Sequence, residues 1–396
     1  MKLSEIGPGI AGGNNRQALT EADSEARRLF KHWCETEGME VKVDKIGNMF
    51  ARRQGKDKNA APVLIGSHLD TQPTGGKFDG PLGVLAGLEI VRTLNDAEVE
   101  TDHPIEIVNW TNEEGCRFAP PMMASGVFAG VYDLDWAYSR EDSRGHKFGD
   151  ELKRIEWMGD HSIGKPEMKA YFELHIEQGP ILEDAGVEIG VVTHGQGLVW
   201  TRISLLGKAT HTGPTPMDKR VNAGLGMARI INTVEDITRA HAPNAVGAVG
   251  HCEIQPNSVN VVPGMAVLTV DFRSPDQGKL DSMIKELYSR SNRIASDLGL
   301  SISFEEVGKM EPVTFDSMCV SSVRKAAKEL GYSFQDVVSG AGHDAFWLAK
   351  VVPSAMVMCP CVDGLSHNEA EEISQSWAES SANVLLHAAV SAAQKH

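Results

Sequence analysis

The spacing of apolar and polar positions changes several times along this chain, and each change marks an element. "ALTEADSEARRLFKHWCETEG" repeats at helical period. Thr20 stands as an N-cap with Asp23 three residues on, Leu29, Phe30 and Trp33 share a face, and Gly38 stops the helix. "EVKVDKIGNMFAR" alternates and predicts a hairpin. "APVLIG" is a short apolar run of the kind a buried strand makes. "PLGVLAGLEIVRTLND" returns to helical period, with Pro81 in its first turn. "PIEIVNW" and "YFELHI" predict two more strands. Strands alternating with helices in this way imply a layered α/β core with a partly parallel sheet.

Between Leu198 and Gly308 the rhythm is different. "LVWTRISLLG", "AVGAVGHCEI", "GMAVLTVDFRS" and "SISFEEV" read as strands. "RVNAGLGMARIINTVEDITRA" and "QGKLDSMIKELYSRSNRIASDLG" read as helices. The order β-α-β-β-α-β is that of a small split βαβ, ferredoxin-like sandwich. The α/β pattern then resumes as far as the helix "SQSWAESSANVLLHAAVSAA". Residues 198–308 are therefore expected as an insertion in a larger domain made of 1–197 and 309–396. The expected fold class is α/β: a layered domain with a mixed sheet, plus an inserted βαββαβ domain.

Composition narrows the partners. The 396 residues suffice for two domains with buried cores. A formal net charge of -16 leaves no basic field to offset phosphate repulsion, which argues against nucleic acid or an anionic membrane surface. One buried arginine can still hold a small anion. The start, "MKLSEIGPGIAGG", lacks the apolar core of a signal peptide, and no run of about 18 apolar residues is present. Neither export nor a membrane span is expected. The six cysteines are scattered without a CxxC pair, which fits reduced, mostly buried thiols in a cytoplasmic protein. Cys359 and Cys361, in "AMVMCPCVDG", read as a strand end and turn in preference to metal ligands.

Candidate chemistry is concentrated in a few stretches. "GSHLDTQPTGGKFDG" empties a strand into one imidazole, two carboxylates and four glycines. His68 and Asp70 stand two apart at a strand's C-terminal end, where open α/β sheets bind ligands. Residues two apart share a face, so the Asp70 carboxylate is expected to reach the His68 ring and fix its tautomer for a metal. Asp79 follows, with Gly75, Gly76 and Gly80 letting the backbone fold close to an ion. The plainer alternative is a turn-forming aspartate and a surface histidine. "NWTNEEGCRF" sets Glu113 and Glu114 just past a strand. Adjacent side chains can face different ways, one ligating a metal and one serving as general base; they can also be a solvated acidic pair. His175 in "YFELHI" has the alternative of a satisfied core histidine, and His367 in "CVDGLSHNEAE" follows a strand and turn. Together these residues are the inventory of a dinuclear site for borderline metals. There is no GxSxG elbow and no Walker A sequence. "GPGIAG" matches GxGxxG literally, but no strand precedes it, and Pro8 makes a Rossmann turn implausible.

The segments "GSHLDTQPTGGKFDG", "NEEGCRFAPPMMASGVFAG", "ELHIEQGP", "GKATHTGPTPM", "PNSVNVVPG", "DFRSPD", "SGAGHDA" and "LSHNEAE" cover nearly the whole chain. In content and order they resemble the hydantoinase/carbamoylase family of amidases. That family includes N-carbamoyl-L-amino-acid hydrolases, bacterial β-ureidopropionases and allantoate amidohydrolases, within the aminoacylase-like clan of co-catalytic metallopeptidases. The resemblance implies two divalent ions per subunit, zinc or manganese, cobalt or nickel. His68 and His175 would hold one, Glu114 and His367 the other, and Asp79 would bridge them. Glu113 would be the general acid/base. His211, Asn260 and Arg273 match substrate-binding positions on the inserted domain, which in the family also forms the dimer interface and acts as a lid. The histidine matching His211 reaches the neighbouring subunit's site there. Gln178 and the run Gly340 to Gly342 match further substrate contacts.

The resemblance thus implies a homodimeric amidohydrolase acting on a small ureido acid. A ureido carbonyl is a poor electrophile because two nitrogens donate into it. Paired metals and a general base answer that difficulty. His211 would stabilise the developing oxyanion, and Arg273 would grip the substrate carboxylate with its planar fork. N-carbamoyl amino acids, α or β, are the expected substrates, and allantoate is the nearest alternative. An aminoacylase or peptidase fits the motifs less well. A catalytically dead binding protein would have no use for the spare glutamate.

Overall fold

The computed structural model describes residues 2–164 and 167–395. The chain divides into two compact units, Met1–Thr193 with Thr314–His396, and His194–Val313. In chain order the strands are β1 (Glu40–Val43), β2 (Met49–Arg53), β3 (Val63–His68), β4 (Ile105–Trp110), β5 (Ala170–Ile176) and β6 (Ile189–Gly195). The second unit contributes β7 (Gly197–Leu206), β8 (Thr210–His211), β9 (Val246–Gln255), β10 (Val261–Val262), β11 (Met265–Ser274) and β12 (Ser301–Met310). β13 (Val313–Thr314), β14 (Phe334–Ser339) and β15 (Ser354–Cys359) return the chain to the first.

In the larger unit nine strands form one mixed sheet, in the order β1-β2-β4-β3-β5-β15-β6-β13, with β14 on β6. β3 runs parallel to β4 and β5, and β15 parallel to β5. β2 and β6 are antiparallel to their neighbours β4 and β15. β3, β5 and β15 are buried at every position, which is why their sequences are mostly apolar, without regular alternation. The helix Pro81–Asp96 links β3 to β4 and packs on β3, β4 and β5. Because β3, β4, β5 and β15 are parallel, their C-terminal ends, and the loops that follow, gather along one edge of the sheet.

The first helix, Glu21–Thr36, starts at Thr20, whose hydroxyl accepts the Asp23 amide at 3.3 Å. Its buried stripe differs from the expected one. Asp23, Ala26, Arg27, Phe30 and Cys34 point inward, while Leu29 and Trp33 are only half-buried. Arg27 can turn inward because all its edges are used: on Asp23 at 2.9 Å, on the Gly47 carbonyl at 2.8 Å and on the Thr111 hydroxyl at 3.2 Å. Hydrophobic pattern alone cannot reveal a buried arginine of this kind.

The smaller unit is a four-stranded antiparallel sheet, β12-β7-β11-β9, with β8 and β10 as a separate two-stranded ribbon. The helices Ala223–Ala240 and Gln277–Leu298 supply its other layer. The order strand, helix, strand, strand, helix, strand is the one expected from the sequence. Burial alternates along β11, so one face holds Ala266, Leu268, Val270 and Phe272 in a core shared with Leu280, Met283 and Leu287. Cys34, Cys319, Cys359 and Cys361 are buried, Cys116 and Cys252 exposed, and all six are free thiols. Among the described residues no helix is long and apolar enough to cross a membrane.

Candidate metal centre

The parallel register Ile65↔Phe172, carried three residues on, sets His68 beside His175 at the strand ends, with ring centroids 5.8 Å apart. Both rings are buried. His68 Nδ1 lies 2.9 Å from the Asp70 carbonyl oxygen, and His175 Nδ1 lies 3.0 Å from that of Ile176. A carbonyl can only accept, so each Nδ1 carries a proton and each Nε2 presents its lone pair. Neither Nε2 has a hydrogen-bond partner. Both face Asp79 Oδ1, at 3.6 and 3.2 Å. Lone pairs aimed at a buried carboxylate repel it unless a cation lies between them. Two imidazoles and a carboxylate oxygen fit a divalent ion of borderline softness, and the three ligand atoms lie within 4.8 Å of one another. With protons in the ion's place the same strain appears in titration. Burial opposes charge on His68, yet Glu113 and Asp79 raise its pKa well above the ordinary imidazole value. Burial likewise works to raise Asp79, but His175 and His68 hold it well below the usual carboxylate range.

Asp79 turns its other oxygen elsewhere. Its Oδ2 is 3.4 Å from His367 Nε2, which is 3.3 Å from Glu114 Oε2. Asp79, Glu114 and His367 form a second group whose ligand atoms lie within 4.8 Å. One carboxylate thus serves two donor sets. The loop achieves this through Gly80, at φ +83°, where a Cβ would come within 2.5 Å of His68 Nδ1. Gln178 Nε2 and the Ser366 hydroxyl also donate to Asp79 Oδ2, at 2.9 and 2.7 Å. Glu371 accepts the Phe78 and Asp79 amides at 2.8 and 3.0 Å.

Glu113 and Glu114 diverge, as adjacent residues can. Asn112 and Gly115, both at positive φ, bend the chain on either side of them. Both Glu114 oxygens are held by Gln72, through its backbone amide at 3.0 Å and its side chain at 2.7 Å. Glu113 points to His68, Oε2 to Nε2 at 3.5 Å. Burial raises the Glu113 pKa well above normal; His68 pulls it down, but Asp344, Glu114 and Asp70 push it further up. A buried carboxyl of raised pKa is suited to carrying a proton.

Asp70 departs from its expected geometry. Its carboxylate is 3.9 Å from His68 Nδ1, and its backbone carbonyl is the ring's partner. The strand ends at His68, so the rule that residues two apart share a face no longer governs Asp70. Its carboxylate instead accepts the backbone amides of Glu113 and Glu114, each at 3.2 Å. Gly340 and Gly342 lie between β14 and the helix Asp344–Leu348, in the same unit. Directly after them is His343, a residue sequence reasoning passed over. Its buried ring is 4.3 Å from that of His175, and Glu173, His175 and His343 make a third ligand-type group. The signal was available: a His–Asp pair following a glycine run.

In the smaller unit, His211 is exposed on β8 and pairs with Val261 of β10. Its Nδ1 accepts the Gly213 amide at 3.1 Å. Asn260 adjoins it, since its carbonyl takes the Thr212 amide at 2.9 Å. Arg273 is on β11, doubly bonded to Asp271 on the same half-buried face, Nη2 at 2.8 Å and Nε at 3.1 Å.

The sequence profile of the peptidase family M20/M25/M40 matches residues 64–391. The chain is 60% identical over 394 residues to an N-carbamoyl-L-amino-acid amidohydrolase of Rhizobium meliloti, covering all of this chain and 95% of that protein. It belongs to this family. Within it, the chain groups with the hydantoinase/carbamoylase amidases. A crystal structure of such an amidase from Burkholderia multivorans is 51% identical and superimposes with a TM-score of 0.97, over 100% of this chain and 96% of that one. A ureidoglycolate hydrolase of Arabidopsis thaliana is 31% identical over 381 residues, covering 93% of this chain and 80% of that protein. These relatives make the chain a hydrolase of carbon–nitrogen bonds.

Proposed function

We propose that the chain hydrolyses the ureido C–N bond of N-carbamoyl amino acids, giving the amino acid, ammonia and carbon dioxide, with two divalent ions per subunit. The observation that carries this reading is Asp79. Its two oxygens face two separate donor sets, and Glu113 stands beside them with a buried carboxyl that neither set requires. The relative at 60% identity supports the substrate class, and the ureidoglycolate hydrolase at 31% supports a broader ureido branch. Allantoate is the alternative substrate.

Ions held by His68, His175, Asp79, Glu114 and His367 would polarise the carbonyl and lower the pKa of the attacking water. Glu113 takes that water's proton and delivers it to the leaving nitrogen. Its raised pKa suits both halves of the transfer. Asp70 and Gln72 hold the Glu113–Glu114 turn so that base and ligand keep their separate aims. Gln178, Asn260, Gly340 and Gly342 orient the substrate. Arg273 binds its carboxylate, and His211 donates to the carbonyl oxygen as charge develops there. His211 acts in trans, within a cytoplasmic homodimer built on the smaller unit.

Two experiments test the reading. Ammonia release is measured with N-carbamoyl-α-amino acids, N-carbamoyl-β-alanine and allantoate, before and after chelation and with Zn, Mn, Co or Ni restored. Loss on chelation and recovery with a divalent ion are expected. Full activity in metal-free protein sinks the mechanism, and a preference for allantoate exchanges the substrate. For the dimer, Glu113→Gln and His211→Ala chains are refolded together. About half the dimers are mixed, each with one intact site, so activity should return to about a quarter of the parent value. No recovery in proven mixed dimers places His211 in cis or outside the site.

A further inference from the structure

The glycine-rich start of the chain, rejected above as a nucleotide loop, does something else. Glu369, two residues after His367, sends its carboxylate into it. Oε1 accepts the Ile10 amide at 3.3 Å, and Oε2 accepts those of Ala11 and Gly13, the latter at 3.1 Å. The glycines make room for this. A Cβ on Gly9 would come within 2.6 Å of the Glu369 carboxyl carbon. One on Gly13 would come equally close to the Glu369 Cα and would also strike the Gly75 carbonyl.

The same segment grips the other loop that carries a ligand-type side chain, Asp79. Asn14 and Gly75 exchange backbone hydrogen bonds at 2.9 and 3.0 Å. Arg16 accepts the Thr71 amide on its carbonyl at 3.0 Å, and its own amide donates to the Thr71 hydroxyl at 2.8 Å. The Arg16 guanidinium is buried and donates to the carbonyls of Leu69 and Ile6, both at 2.8 Å. Residues 7–16 therefore tie the loop after β3, which carries Asp79, to the loop that carries His367. These loops are almost 300 positions apart in the chain.

His367 needs such support. It lies outside any strand or helix, its side chain is 51% exposed, and its backbone sits at φ +53°, a region costly for a side chain with a Cβ. His68 and His175 are framed by fully buried strands. We infer that the N-terminal segment is a clasp for the metal centre, and that Glu369 is a positioning residue that sets His367 against its ion. This rests on the dinuclear reading above. The dependence is unequal: His68 and His175 stand on fully buried strands as well, whereas His367 has only its loop and the clasp.

The test is a stepwise titration of the metal-stripped full chain with Co2+, followed by calorimetry and visible absorption. The variants are Glu369→Gln, which keeps the shape but turns an NH2 toward backbone amides, and Gly13→Ala, which forces the two loops apart. Ile10→Ser is the control, since that side chain is 99% exposed. His367→Ala defines the loss of one site. The parent should take up two ions. Glu369→Gln should weaken one of them by about tenfold or more, the usual range for supporting contacts, and leave the other unchanged, and Gly13→Ala, which also presses on the Asp79 loop, should weaken that same ion more than the other. Ile10→Ser should match the parent. Equal weakening of both ions would mean general loosening and overturn the positioning role. So would unchanged affinities alongside a lost ion in His367→Ala. If His367→Ala itself binds two ions like the parent, the dinuclear assignment falls instead. Circular dichroism excludes unfolded variants, and the two independent substitutions keep the test open if one misfolds.

Discussion

The two larger sheets of this molecule are covered to different degrees. β3, β5 and β15 are buried at every position, whereas β7 and β11 are fully buried only at every second one. A sheet hidden on both faces has little room for polar side chains along its strands, so its chemistry collects where the strands end. His68 and His175 stand at such ends, in surroundings too dry to leave Nε2 lone pairs facing a carboxylate uncompensated. A half-covered sheet can carry an ion pair on a strand's open face. Asp271 and Arg273 are one, and Trp200 remains 39% exposed. The first arrangement fixes groups rigidly, and the second leaves them open to a ligand or a second copy.

Substitutions can break this contrast or sharpen it. Asp79→Ala should have the largest effect, because one carboxylate serves both donor sets: both ions should be lost by elemental analysis, and turnover should fall to background. Retention of one tightly held ion would show that the two sets are independent. Leu268→Ala, in the buried face of the smaller sheet, should cost about 2–5 kcal/mol in denaturant unfolding, without altering metal content. Loss of metal there would mean that the smaller unit supports the centre after all.

Glu113→Gln should keep both ions and substrate binding while kcat falls by at least about a hundredfold, the low end for a lost general base. Loss of an ion would exchange its role with that of Glu114. Arg273→Lys should raise KM about tenfold for carboxylate substrates, because an ammonium cannot reproduce the planar fork. A carbamoylated amine lacking the carboxylate should be nearly insensitive to it. Equal losses on both would make Arg273 a structural partner of Asp271. Trp200→Ser should be the smallest change, within about 0.5 kcal/mol at monomer concentrations. A larger loss that grows with protein concentration would place Trp200 in a subunit interface.

Much of the fold was legible because period and topology agree. The mostly apolar runs became buried parallel strands, and the alternating run "GMAVLTVDFRS" became a half-covered one. The residues at strand ends stood out because imidazoles and carboxylates rarely follow apolar runs by chance. What pattern could not convey was the contacts between distant loops. Glu371 holds the Asp79 amide from 292 positions away, and nothing in "HNEAEE" announces its partner. Asp70 was misaimed because strand alternation was extended past the strand's last residue. Leu29 and Trp33 were placed inward because a satisfied, buried Arg27 has no hydrophobic signature.

The chain departs from the large sheet on β6 and rejoins it on β13, and those strands are neighbours. The Phe315 amide still reaches the Thr193 carbonyl across the gap, at 3.1 Å. Doorways this close mean that whatever lies between them closes a loop, and the entropy of closing a loop grows only slowly with its length. A short turn and a whole ferredoxin-like module are therefore nearly equivalent choices for the host sheet. Through such a paired exit and entrance, the inserted unit can be shortened or exchanged without rewriting the strands of the host sheet.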